Sequence, residues 1–275
     1  MNCTSLRSLP NLPIDIVQIL GHGCTSLEMA PDLQKPNFFC KGELYLENCS
    51  KLADNQDVMD VFFAVIRNHH QGISRPNQYD HPNFTRRYDM IIPGSVIPKW
   101  FIHQSIGVEV NIKEPSHLCD DWMGIAICVG FSPSRHHFAT SCKFIANGKL
   151  SSCLAVCPSS SEDLLSDHIW LCYLLPQYCD ETIKLLNVCE ANELSQIGLK
   201  IENDSCVVKK CGLRMVYKKD IEELNRTMAQ SSNTSITPYE DLGVLHHNFD
   251  NSVVVTEDNK AKKIRDYYDG TGPSG

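Results

Sequence analysis

Residues 122–131 read Trp-Met-Gly-Ile-Ala-Ile-Cys-Val-Gly-Phe, ten positions without a charge. The run is far too short to cross a bilayer, which takes about 20 apolar residues as a helix. Its length and β-branched content predict a central strand covered on both faces. Such a strand needs neighbours that bury it, and the flanking sequence supplies them. Val108, Val110 and Ile112 alternate with Glu109, Asn111 and Lys113, the pattern of a strand with one wet face. Further strands are expected at 141–146, 168–175, 183–189, 197–202 and 206–217. Short strands without long intervening helices predict a mainly β fold, an antiparallel β-sandwich of jelly-roll or immunoglobulin-like type over 88–219.

The N-terminal quarter obeys a different rule. Cys3-Thr4-Ser5-Leu6, Cys24-Thr25-Ser26-Leu27 and Cys49-Ser50-Lys51-Leu52 share a Cys-x-x-Leu core, with cysteines 21 and 25 positions apart. That spacing falls in the roughly 20–29-residue range of leucine-rich repeats. Leu44 and Leu46 before Cys49, and Ile16 and Ile19 before Cys24, fit strand positions pointing into a solenoid, although Gly21 stands where an apolar residue is expected. So few repeats bury no continuous core alone. Residues 1–53 are therefore expected to end a leucine-rich-repeat solenoid or to pack on the body C-terminal to them.

Between these bodies, 54–87 is expected to hold a short helix and a connector. Val58, Val61, Phe62, Val65 and Ile66 recur at helical spacing over 57–68, and a loop rich in proline and polar residues comes after them. At 220–229 a second short helix is expected, with Asp220 as N-cap and Glu223 at the capping-box position. The polar stretch 230–275 reads as a disordered tail. Its cluster Lys260, Lys262, Lys263 and Arg265 has the composition of a nuclear import signal or of a solvated patch.

Chemistry is thinly represented. A net charge of −8 disfavours a nucleic-acid partner. The opening residues lack a basic stretch leading into an apolar one, so the chain is expected inside the cell, with no membrane partner. None of the 14 cysteines forms a Cys-x-x-Cys pair, and many sit in apolar runs, which favours reduced, buried thiols over zinc or redox sites. The pairs His69-His70, His136-His137 and His246-His247 lack ligand spacing, with His136 and His137 near Cys142 the nearest approach to a metal set. Cys119, beside Asp120 and near His117, is the nearest candidate for a nucleophile, though its surroundings read better as a loop. Gly148-Lys149-Leu150 is not a phosphate-binding loop. No catalytic, metal or cofactor residues are expected.

The stretch 90–107 sharpens the reading. Its Pro93-Gly94-Ser95-x-Ile97-Pro98-x-Trp100-Phe101-x-x-Gln104 resembles the opening motif of the C-terminal jelly-roll and immunoglobulin-like domain of plant TIR-type nucleotide-binding leucine-rich-repeat receptors. Residues 122–128 and 209–217 look like that domain's next and closing strands, and the Cys-x-x-Leu repeats are of the same style. By its chemistry the motif is architectural: Pro93-Gly94 turns the chain, Pro98 bars a regular ladder, and Trp100 and Phe101 supply apolar area to pin an irregular edge loop. The resemblance implies a non-catalytic recognition module that contacts a pathogen effector protein and other receptor domains and contributes to autoinhibition. The family's NAD cleavage and oligomerisation would reside in a TIR region and other domains not found in this sequence. Localisation is expected in the cytoplasm and also the nucleus. The sequence leaves the effector-contacting residues unknown. Two alternatives from other classes are a lectin-like carbohydrate-binding sandwich, which would need a concave face with clustered aromatics and carboxylates whereas Trp100, Trp122 and Trp170 sit in apolar runs, and a cysteine hydrolase built on Cys119.

Overall fold

A computed structural model describes residues 2–9, 18–29, 42–53, 55–70, 87–115, 121–133, 140–157, 163–179, 194–203 and 206–234. Residues Met1–Ser235 form one compact unit. The strand expected at 183–189, the residues from 235 onward, Cys119 and the His136-His137 and His246-His247 pairs lie outside the described residues.

The elements in chain order are strands β1 (Gln18–Leu20) and β2 (Glu43–Tyr45), helix α1 (Gln56–His70), and strands β3 (Arg87–Pro93), β4 (His103–Ile106), β5 (Glu109–Pro115) and β6 (Trp122–Phe131). Then come β7 (Thr140–Ala146), β8 (Lys149–Cys157), β9 (His168–Leu174), β10 (Leu194–Asn203) and β11 (Val208–Tyr217), and finally helix α2 (Lys218–Thr234). They build a seven-stranded sheet in the order β1-β2-β3-β9-β6-β11-β4 and a four-stranded sheet in the order β5-β10-β7-β8. The mainly β sandwich is present, and the expected repeats and helices are joined to it in two ways that the sequence pattern did not reveal.

The first is at the repeats. β1 pairs parallel with β2, and β2 pairs parallel with β3, Glu43 opposite Asp89 and Tyr45 opposite Ile91. The repeat strands thus continue directly into the sandwich sheet, which is antiparallel from β3 onward. Leu44 and Leu46 point inward, and the Cys49 thiol, buried beside them, donates to Gly21 O at 2.9 Å. That bond satisfies a turn carbonyl which the solenoid hides from water.

The second is through a helical layer. β6 and β9 are apolar at consecutive positions because both of their faces are covered. Ile127, Val129, Phe131, Trp170, Cys172 and Leu174 face the four-stranded sheet. Ala126, Cys128, Ile169, Leu171 and Tyr173 face the opposite way, into a core shared with the repeats, α1 and α2. A bulge at Trp122–Gly124 bends β6 where it meets the end of β11. Gly124 has φ 143°, and a Cβ there would meet Leu174 O at 2.4 Å, so glycine is required. Burying Val58, Phe62, Val65 and Ile66 against the sheet is what holds α1 in place, since a 15-residue helix is marginal by itself.

Two expectations at the C-terminal helix are corrected. Asp220 is not the N-cap; it is the third helical residue, and its carboxylate accepts the Tyr217 N–H at 2.8 Å, the reach-back half of a capping box. The helix also runs to Thr234, so residues 230–234 are helical and not part of a tail. A nucleated helix gains one hydrogen bond per added residue without needing apolar side chains.

Candidate functional site

The motif divides into three parts. Pro93 ends the buried strand β3, so the opening of the motif is central sheet and not edge loop. Gly94, Ser95, Ile97, Pro98 and Trp100 form the irregular crossing, and Gln104 lies on the edge strand β4. Gly94 N–H donates to Asp167 O at 2.9 Å, while Ser95 is exposed. Ile97 and Phe101 are buried over Gly212 of β11, where a Cβ would lie 3.1 Å from each. Phe101 stacks on Phe62 of α1 at 6.4 Å, and Trp100 lies 5.2 Å from Phe63. The side-chain amide of Gln104 donates to Pro98 O at 3.1 Å and to Phe101 O at 2.9 Å, taking up carbonyls that no ladder reaches.

Arg214 locks this loop from beneath. Its guanidinium donates to Trp100 O, pairs with Asp220 at 2.6 Å, and lies 4.4 Å from the centre of the Trp100 ring. One side chain therefore joins the loop, β11 and the cap of α2. Sequence reading missed both partners as a pair; the usable signal was the three-residue spacing of Tyr217 and Asp220.

A second polar assembly joins the repeats to the sandwich. Asn48, at φ 59°, donates through Nδ2 to Asp163 O at 2.7 Å and accepts the Leu165 N–H at 2.9 Å. Its own N–H donates to Nε2 of buried His168 at 3.0 Å, whose Nδ1–H donates to Ser166 O at 2.8 Å. One ring nitrogen accepts and the other donates, so the imidazole is neutral. Burial lowers its pKa, against smaller opposing effects of Ser166 O, Glu47 and Asp167. Glu47, 1% exposed, lies 2.7 Å from His22 Nδ1 in the adjoining turn. Inside the sandwich, Asp89 accepts from Arg87 Nη2 at 2.7 Å and from Trp170 Nε1 at 2.8 Å. Burial raises the Asp89 pKa, and Arg87 and the indole N–H pull it back.

One end of the sandwich carries exposed apolar side chains among exposed charged ones, Asp163, Lys209 and Lys210. Pro93, His168, Phe131 and Val208 are in register there, and the segments beyond them are tied by Gly94–Asp167, Ser132–Val207, Gly107–Lys209 and Asn48–Leu165 bonds. Leu165, 77% exposed, and Val207, 67% exposed, project from this rim with Val96, Ile106 and Val108. A cavity of about 120 Å³ lies behind Val96, lined by Asn55, Met59, Ile92, Pro93, Pro98 and Ile169. It is smaller than a pocket for a drug-sized ligand, roughly 300 Å³ and above.

Other candidate chemistry is placed in the interior. Nine of the described cysteines are buried. Burial raises the thiol pKa of Cys49 to about 12 and of Cys211 to about 11, far from a thiolate nucleophile at neutral pH. His70 Nε2–H donates to Tyr173 Oη at 2.6 Å, since the Tyr173 hydroxyl proton goes to Met123 O at 2.7 Å. Burial brings the His70 pKa to about 4, with His69 adding to the shift. Trp122 and Trp170 are buried and Trp100 is packed between Phe63 and Arg214, so none of the three offers a stacking face to a sugar.

The same stretch of chain matches known proteins. Residues 92–222 match the family model described as the C-JID domain. The chain is 26% identical over 252 residues to disease resistance protein RPS4 of Arabidopsis thaliana, covering 79% of this chain and 20% of that protein. It is 27% identical over 253 residues to disease resistance-like protein DSC1 of the same plant, covering 78% and 20%. To disease resistance protein RPP2B it is 27% identical over 259 residues, covering 80% and 21%. The chain spans about a fifth of the length of these curated relatives.

Proposed function

We propose that this chain, whose residues 92–222 match the C-JID domain and which resembles plant disease resistance proteins over most of its length, is the recognition module of an intracellular immune receptor, binding a pathogen effector protein and restraining the receptor until it does so. The observation that carries this reading is the set of exposed apolar side chains at one end of the sandwich. Leu165, Val207, Ile106, Val108 and Val96 are exposed on segments that are themselves pinned by Asn48, Asp167 and Lys209. Apolar side chains held in water on a rigid support are what a protein interface needs before its partner arrives. Recognition then rests on burial and shape and requires no catalytic group in this chain. The repeats join the sandwich through a shared sheet, so a load on the rim reaches the solenoid. Any NAD cleavage belongs to a TIR domain of a full receptor, which works in the cytoplasm and also the nucleus.

The test exchanges 94–102 and 163–167 between related receptors and scores which effector triggers cell death. Recognition is expected to move with the exchanged segments. If no exchange ever alters it, the module reading is wrong.

A further inference from the structure

β4 differs from its successor β5 in a way that bears on the partner. Among the described residues it closes one edge of the seven-stranded sheet and pairs only with β11, Ile106 opposite Lys210 and His103 opposite Leu213. Ile102 and Ile106, 65% and 86% exposed, flank exposed Gln104 at alternate positions. Past the turn at Gly107, where φ is 91°, the chain leaves this edge: Val108 O accepts the Ile201 N–H of β10 at 2.8 Å. An exposed apolar edge with free backbone groups templates a further strand unless charge, proline or a bulge protects it. β5, at one edge of the other sheet, has that protection: Glu109, Asn111 and Lys113 face water and Pro115 ends it. β4 contains no charged residue or proline.

Cations stand at both ends of this edge. Lys99 is exposed four residues before the strand, and Lys210 is exposed beside Ile106. Neither forms an ion pair among the described residues, whereas neighbouring Lys209 is held by Asp167 at 2.7 Å. The edge is also rigid, since Gln104 ties it to Pro98 and Phe101, and Gly212 beneath is covered by Ile97 and Phe101.

We propose that β4 is a strand-addition site, and that its occupant is an extended segment of a partner protein with alternating β-branched side chains and a carboxylate at each end. Main-chain bonds to the free edge supply affinity, Ile102 and Ile106 select apolar side chains, and Lys99 and Lys210 select the acidic flanks. A second copy of this chain fits the edge poorly. It would bring its own Lys99 and Lys210 to a positive edge, and four residues of strand, about 13 Å, are too short to bury what a stable dimer needs. This inference rests on the recognition-module reading and names one surface of it.

The test titrates the whole chain into a fluorescein-labelled seven-residue peptide of alternating valine and threonine with glutamate at each end, read by anisotropy. Binding on the order of 10 µM is expected for so short a strand. Replacing both glutamates by lysine, or raising the salt, weakens it about tenfold. N-methylation of alternate amides on one edge of the peptide abolishes binding, while methylation on the other edge is tolerated. Ile102→Lys with Ile106→Lys weakens it at least about tenfold, and Leu150→Lys, an exposed apolar position on β8, leaves it unchanged. Circular dichroism and melting confirm that each variant is folded. Binding unaffected by methylation on both edges, binding indifferent to the isoleucine substitutions, or no binding at all overturns the proposal. A concentration-dependent dimer that Ile106→Lys abolishes also overturns it, since the occupant is then a second copy. If the peptide fails while segment exchange still redirects effector recognition, the edge site alone is lost. If exchange fails while the peptide binds, the module reading is lost and the strand site stands.

Discussion

The two sheets of the sandwich draw on the same residue types and expose them differently. In the seven-stranded sheet β9 is buried at every position from His168 to Leu174, and β6 at nearly every one. In the four-stranded sheet Thr140, Cys142, Phe144 and Ala146 are buried in alternation with half-buried Ser141, Lys143 and Ile145. Along β10, Ile197, Leu199 and Ile201 point inward while Lys200 and Glu202 face water. The first sheet therefore sets stability and register. The second has a solvated face on which substitution is cheap. Surface variation on that face then leaves the core undisturbed.

The strongest challenge to this contrast is Trp170→Ala. It empties a site between the sheets and leaves Asp89 without the indole N–H, so a loss of about 3–5 kcal/mol is expected in urea unfolding. A loss under about 1 kcal/mol would mean that the seven-stranded sheet is not the centre of stability. Next is Asp220→Ala, which removes the reach-back cap of α2 and leaves Arg214 buried without its carboxylate. About 2–4 kcal/mol is expected, with a change in Trp100 fluorescence as the motif loop loosens. Unchanged fluorescence would separate the loop from the cap.

Acidification sharpens the comparison at the junction with the repeats. His168 and His70 both have folded-state pKa values below the unfolded value near 6.5. The unfolded chain then binds more protons, so their contribution is present above about pH 6.5 and fades as the pH falls, for His70 down through about 4. Melting temperature is expected to drop across that window, and His70→Gln to flatten the drop. The smallest effect belongs to the wet face. Lys200→Ala is expected to change stability by less than about 0.5 kcal/mol, and a larger cost would make that face structural.

Legibility in the sequence tracked the same contrast. The apolar run at 122–131 predicts β6 residue for residue, because a strand covered on both sides records its burial at every position. Val110 and Ile112 gave β5 through alternation. β8 escaped notice because Ser151 and Ser152 break the alternation and an edge strand has one neighbour to satisfy. The parallel pairing of β2 with β3 could not be read at all. It joins residues more than forty positions apart, and period and composition carry no record of partner choice. At the motif, Pro98, Trp100 and Phe101 announced an irregular loop pinned by aromatics, whereas Pro93, expected at its start, is the last residue of β3. That Arg214 and Asp220 clamp it from another strand and helix depends on register, which only coordinates supply.

The direct passage of β2 into β3 has a mechanical consequence. Bending between solenoid and sandwich would have to rupture ladder bonds in step with the core that α1 shares with both. The repeat strands and the sandwich should therefore move as one stiff lever, so that a displacement at the rim is passed to β2 and β1 without an intervening hinge. Chimeras spliced between residues 46 and 87 would sever that lever, while a splice ahead of Gln18 would leave it whole.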